Sequence, residues 1–177
     1  MNLSAKTIID AEKSRRSVRA YTDEVPSEEL ISQVIEGGLW AASGRGGQSP
    51  IVVAVTNPEL RDRLSAMNAR IMGVDSDPFY GAPVVLVVLV PTDTPTGVYD
   101  GSLVMGNLML TAHALGLASC WIHRAKEEFA SDEGKAILAE LGITGEWEGV
   151  GHCILGYAAS APAAAPARRE GRVIWAK

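Results

Sequence analysis

Arg15-Arg16-Ser17-Val18-Arg19 puts three guanidinium groups and a hydroxyl into five residues of an otherwise acidic chain. Arginine forks with a serine hydroxyl are donors suited to a phosphoryl group, and the alternation of Arg16, Val18 and Ala20 predicts an extended strand holding them in fixed geometry. A solvated loop is the competing reading, since charge runs are usually that. A second basic cluster, Arg168-Arg169-Glu170-Gly171-Arg172, stands near the other end. His113, His123 and His152 fit no HExxH spacing, no GxSxG turn accompanies them, and no catalytic carboxylate pair can be chosen from the scatter of surface acids. Metal hydrolysis and serine-nucleophile chemistry fall away. What remains is an organic cofactor bearing a phosphate, held by the two basic clusters.

Positioning these groups is the task of a few elements. Between Asp100, read as an N-cap, and Gly116, read as C′, the residues Leu103, Val104, Met105, Leu108, Met109, Leu110 and Leu115 fall on every side of a helical wheel, which predicts a buried central helix. At about sixteen residues it is short of the ~20 needed to span a bilayer. Ser102 and Gly106 would let another backbone approach, and Gly106 costs roughly 1 kcal/mol of helix propensity, which some contact must repay. The helix runs into an apolar strand, 118–123, that would deliver His123 and Arg124 to a site.

Ser4 is expected to cap a first helix ending near Lys13, with Ile8 and Ile9 as its apolar contacts. Pro26-Ser27 opens a helix with Ile31, Val34, Ile35 and Leu39 on one face. Asn57-Pro58 opens another, striped by Leu60, Leu64, Met67 and Ile71 and stopped by Gly73, with Asn68 beside the stripe as a surface polar residue. Ser131 caps a helix that Gly142 stops. Strands are predicted over 51–56, 84–90 and 150–155, the second covered on both faces. The segment 42–50 is a glycine-rich loop that permits close backbone approach to a ligand but lacks P-loop order. Residues 74–83 read as a loop, and Lys126, Glu127 and Glu128 as surface. The Ala- and Pro-rich tail can form no core of its own, yet its Val173-Ile174-Trp175 calls for burial on the body or on a partner subunit.

The 177 residues predict a single domain, 1–177. A 47% hydrophobic content makes an oligomer that hides apolar surface plausible, and a net charge of −5 argues against nucleic acid or an anionic membrane as partner. The N-terminus has no long apolar core, so a cytoplasmic location is expected. Cys120 and Cys153 read as buried inert thiols.

In these motifs the chain resembles the nitroreductase family of FMN-dependent oxidoreductases. Arg15-Arg16-Ser17-Val18-Arg19 is similar to the family's N-terminal Arg-x-Ser-x-Arg/Lys element, and Ser43 to Gln48 to its Ser-x-x-Asn-x-Gln loop, with Gly46 in place of the Asn and Ser49-Pro50 in place of the usual Pro-Trp. Asn68 falls where the family often has Asn, Ala114 to Cys120 is similar to its helix-to-strand junction, and Arg168-Arg169 to its C-terminal basic pair. The resemblance implies an α+β fold, a mixed, mostly antiparallel sheet flanked by helices with a buried central helix and an extended C-terminal tail. It also implies a homodimer binding FMN at the subunit interface, reduced by NADH or NADPH and passing two electrons to a small electron-poor acceptor such as a nitroaromatic or quinone.

By the same resemblance Arg15, Arg16, Ser17 and Arg168 or Arg169 hold phosphate and ribityl, and Arg19 approaches the N1 and C2 carbonyl edge. Gln48 and Asn68 bond the ring's polar edge, and backbone N–H groups of Ile122, His123 and Arg124 face N5. His123 is either a proton donor opposite N5 or a strand-end histidine bonded to backbone. Alternatives of other classes are a non-catalytic flavin or anion binder, and a dehalogenase or flavin-destroying enzyme on the same scaffold.

Overall fold

A computed structural model describes residues 5–177. Four strands, β1 (Ile51–Val55), β2 (Val84–Pro91), β3 (Ala118–Ile122) and β4 (Trp147–Gly156), form one antiparallel sheet in the order β1-β2-β4-β3. The uninterrupted run Val84 to Val90 is buried because β2 lies inside the sheet with helices over both faces. Val85, Val87 and Leu89 face one layer, formed with α3 (Pro58–Met72), α5 (Ala125–Ala130) and α6 (Asp132–Glu140). Val84, Leu86, Val88 and Val90 face the other, formed with α2 (Glu28–Leu39) and α4 (Gly97–Ala114). The register shifts between Val88 and Leu89, so Val150 has no partner across the ladder and β4 carries a bulge there. The fold is thus α+β with a four-stranded antiparallel sheet.

Local chemistry explains most boundaries. Ser27, Asn57 and Ser131 each accept a hydrogen bond from a first-turn backbone N–H, and Gly73 takes the left-handed conformation that ends α3. The cap of the first helix, α1 (Ala5–Ser14), was expected at Ser4, which lies outside the described residues. Ile8 and Ile9, the expected apolar contacts of α1, are both about half exposed and belong to neither core cluster.

Four further expectations are corrected. Helix α4 starts at Gly97, so Asp100 sits inside its first turn. It caps the 43–48 loop instead, accepting from Gly44 N–H at 2.9 Å and Thr96 Oγ1 at 2.9 Å. The helix is not buried all round, because Val98, Tyr99, Leu103 and Gly106 are exposed. Close approach occurs through α2 rather than through Gly106: a Cβ on Gly37 would lie 2.2 Å from Thr111 Oγ1 and one on Gly38 2.4 Å from Leu108 Cδ2, whereas one on Gly106 would meet nothing within 4 Å. Finally, 125–130 is a helix and not a surface connection, and Glu128 is fully buried.

Around Ser17 the chain is extended but makes single bridges rather than a strand, Ser17 beside Ser119 in parallel and Tyr21 against Ala158 in antiparallel. The tail follows the body through Ala159 N–H bonded to Ala20 O, and Val173, Ile174 and Trp175 are exposed on this chain. Cys120 and Cys153 are free and buried, with burial pushing the Cys153 thiol up to about 12.

The 74–83 loop is pinned by Asp77, which accepts from Arg61, Ser65 Oγ, Phe79 N–H at 2.8 Å and Gly81 N–H at 2.7 Å. Burial alone would raise the carboxyl pKa, but Arg61, Ser65 and the two backbone donors outweigh it and hold it below the usual range. A depressed folded-state pKa means that this contribution is present above the unfolded value near 3.9 and is lost as pH falls through the folded one. Asp77→Asn should therefore lower the melting temperature at pH 7 while flattening the acid limb below about pH 4, readable from melting curves between pH 2.5 and 7.

Candidate functional site

Strand β3 joins two clusters of the residues singled out above. At its start, Ser14, Arg15, Arg16, Val18, His113, Leu117, Ala118, Ser119 and the tail residues Ala158 and Pro162 line a cleft of about 250 Å³. That is small for a whole cofactor but ample for a phosphoryl group. The end of α1 is brought here by Val18 N–H, which donates to Ser119 O at 3.1 Å, and by Ser14 Oγ, 2.7 Å from His113 Nε2 in the last turn of α4. Arg16 Nη2 donates to Lys13 O. Arg15 Nη1 is buried and has no hydrogen-bond partner among the described residues. A buried guanidinium N–H without an acceptor is costly, and Arg15 borders the cleft, where an anion would meet its positive charge.

At the far end of β3, about 13 Å away by strand rise, the chain turns sharply. Arg124 is left-handed with φ 80°, an uncommon conformation for a side-chain-bearing residue outside Asn and Asp. Asn68 holds the turn. Its Nδ2 donates to His123 O at 2.8 Å and to Glu128 Oε1, and its Oδ1 accepts from Arg124 Nε at 2.9 Å. The reading of Asn68 as surface polar is overturned, for it is fully buried. Its amide is spent on protein, which places it beneath the turn as a support rather than in the open at a ring edge. Behind it Glu128 Oε2 lies 3.1 Å from His152 Nε2, both residues fully buried, though the pair is not aligned for a hydrogen bond. The His123 side chain is exposed and makes no hydrogen bond to any described residue of its own chain.

The remaining candidates lie elsewhere. Gln48 is left-handed, its N–H bonded to Ser43 Oγ at 2.9 Å, and its side chain borders a separate cleft of about 490 Å³ with Ser32, Ile35, Glu36, Leu39 and Trp40. Arg19 is exposed. Arg168 and Arg169 are exposed in the tail, Arg168 Nη2 donates to Pro166 O at 2.7 Å, and neither lines the Arg15 cleft of its own chain. Sequence reasoning missed Ser14, His113, Glu128 and His152. For the first two the only available signal was position, each ending a helix that leads into a segment already suspected.

Residues 13–78 and 68–157 match the sequence profile of the nitroreductase family. The chain belongs to that family. A relative from Methanothermobacter thermautotrophicus, named "Putative NADH dehydrogenase/NAD(P)H nitroreductase", is 27% identical over 123 residues, 67% of this chain and 62% of the relative. The FMN reductase [NAD(P)H] of Bacillus subtilis is 31% identical over 80 residues, 45% of this chain and 30% of that protein. The chain thus spans less than two thirds of the length of either. A Bacteroides fragilis nitroreductase solved with bound FMN superposes with a TM-score of 0.86 at 27% identity, covering 96% of this chain and 98% of that one. As a nitroreductase-family chain, the protein has the fold expected of it, and the Arg15 cleft and the His123 turn fall at the two ends of one strand. Among the described residues no helix is long and apolar enough to cross a membrane.

Proposed function

We propose that this chain is an FMN-dependent oxidoreductase, a single flavin-binding domain that takes two electrons from NADH or NADPH and reduces a small electron-poor organic acceptor, nitroaromatic or quinone-like, in the cytoplasm. The observation that carries the reading is Arg15, which lines a cleft of phosphate dimensions on a nitroreductase-family chain and holds a buried Nη1 without an acceptor among the described residues. Bound FMN would supply reversible two-electron hydride chemistry. The chain's own part is binding and orientation. Arg15, Arg16 and the neighbouring Ser17 hold the phosphate, and the Asn68-braced turn presents the backbone of Ile122, His123 and Arg124, with the unbonded imidazole of His123 available to hold or pass a proton. The direct test is spectroscopic. The purified protein reconstituted with FMN should show flavin absorbance that NAD(P)H bleaches anaerobically and an acceptor restores. Bound FMN that no donor bleaches would mark a non-catalytic binder, and no retained FMN would remove the reading altogether.

The working unit in this reading is a homodimer with FMN between subunits. In its support, Leu39, Trp40, Tyr99 and Leu103 are exposed large apolar residues, the tail's Val173-Ile174-Trp175 is bare on its own chain, and Gly106 carries its propensity cost with no neighbour to repay it. A second copy packed on the open face of α4 would repay it. A Cβ at Gly106 meets nothing within 4 Å on the isolated chain, so Gly106→Ala should leave the fold intact, while the larger Gly106→Leu should obstruct a packed second copy and weaken self-association by about 10-fold or more, roughly 1.4 kcal/mol. Sedimentation velocity across a dilution series reads this directly, and an unchanged dimer would exclude that face.

A further inference from the structure

His113 is unused by the reading above. It shares the Arg15 cleft, Ser14 Oγ fixes its Nε2 at 2.7 Å, and its Nδ1 makes no hydrogen bond to any described residue. The charged groups acting on it are Arg15 and Arg16, from the segment that follows α1. Its other cleft neighbours, Ser119 at the start of β3 and Ala158 and Pro162 of the tail, carry no charge, and among the described residues no carboxylate lines the cleft.

We propose that His113 is a third, proton-switched cation of the phosphate cradle, neutral in the free protein and protonated from solvent when a phosphoryl group binds. The proposal rests on the FMN reading for the identity of the ligand and goes beyond it in assigning a titrating group to the site. In the free protein burial, then Arg15 and Arg16, keep the imidazole below its usual range, so at neutral pH it is uncharged. A phosphate dianion lodged among these groups offsets both guanidinium charges and places a strong acceptor in the same cleft, which favours the imidazolium. The group is then more basic in the complex than in the free protein. By linkage, binding takes up a proton between the two pKa values and weakens as pH rises through the bound-state value.

The test is calorimetric titration of FMN into the full-length apoprotein at pH 7.5, in two buffers of unlike ionisation enthalpy, with riboflavin as the probe lacking phosphate. At that pH the FMN phosphate is almost wholly dianionic, its second pKa being about 6, so it contributes little proton traffic. Expected is net uptake approaching one proton with FMN and none with riboflavin. The Kd for FMN should rise by about 3- to 10-fold between pH 7 and 8.5, a dependence that His113→Gln abolishes. FMN binding with no proton uptake and a flat Kd profile would overturn the proposal and leave the flavin reading standing. Failure of FMN to bind at all would overturn both. The wild-type proton count decides the matter even if the variant does not fold.

Discussion

Glu128→Ala should cost about 3–5 kcal/mol of folding stability, the loss expected when one partner of a buried charged or hydrogen-bonded set is deleted and the others stay behind. The carboxylate has no access to solvent, accepts from Asn68 Nδ2, and stands 3.1 Å from the fully buried His152. The imidazole of His152 is itself walled by Phe79 and Phe129, with ring centroids at 5.2 and 6.4 Å, so it cannot turn to water when its neighbour is removed. Urea unfolding at pH 7 measures the change. The midpoint should fall sharply with the slope unchanged, as for a stability loss without a change in the unfolded state. Glu128→Gln keeps an acceptor for Asn68 and should recover more than half of the loss. Because Asn68 also braces His123 O and Arg124, the alanine variant should raise the hydrogen-exchange rate at the β3–α5 turn even where the fold survives. A loss below about 1 kcal/mol would mean that the cluster is not the rigid support described.

Arg15→Ala is expected to act in the opposite way, sparing the fold and impairing the ligand. Its Nη1 has no partner among the described residues, so deleting the guanidinium removes an unsatisfied buried donor, and the apoprotein should melt at the same temperature or slightly higher. The Kd for FMN should rise by about 30- to 100-fold, the equivalent of roughly 2–3 kcal/mol for a charge-assisted hydrogen bond to phosphate. Riboflavin, lacking the phosphate, should bind wild type and variant alike. Fluorescence quenching gives both constants. Equal loss for FMN and riboflavin would place Arg15 at some other part of the ligand.

What was legible in the chain follows the range of the forces involved. The caps at Ser27, Asn57 and Ser131 act within one helical turn, and the apolar run of β2 reports burial directly, so both could be read from neighbouring residues. Asp100 satisfies a loop 56 residues away, and the Ser14–His113 contact joins residues 99 apart, so neither leaves a local trace. Helix α5, only six residues long and half polar, gave no period to detect, and its Glu128 looks like any surface acid until Asn68 and His152 are brought against it. The basic motif at Arg15 was visible. That Arg15 borders a cleft and keeps a buried N–H without an acceptor was not, because burial of a charge depends on the whole fold.

The two thiols have a practical consequence. Cys153 is sealed within the sheet and its sulfur resists ionisation, so an alkylating reagent can reach the reactive thiolate only when the strands part. The rate of iodoacetamide labelling at Cys153, told apart from Cys120 by peptide mapping, therefore clocks excursions of the central ladder into open conformers under native conditions. Such a chain carries an internal gauge of how often its innermost layer comes apart, free of any probe that must be engineered in.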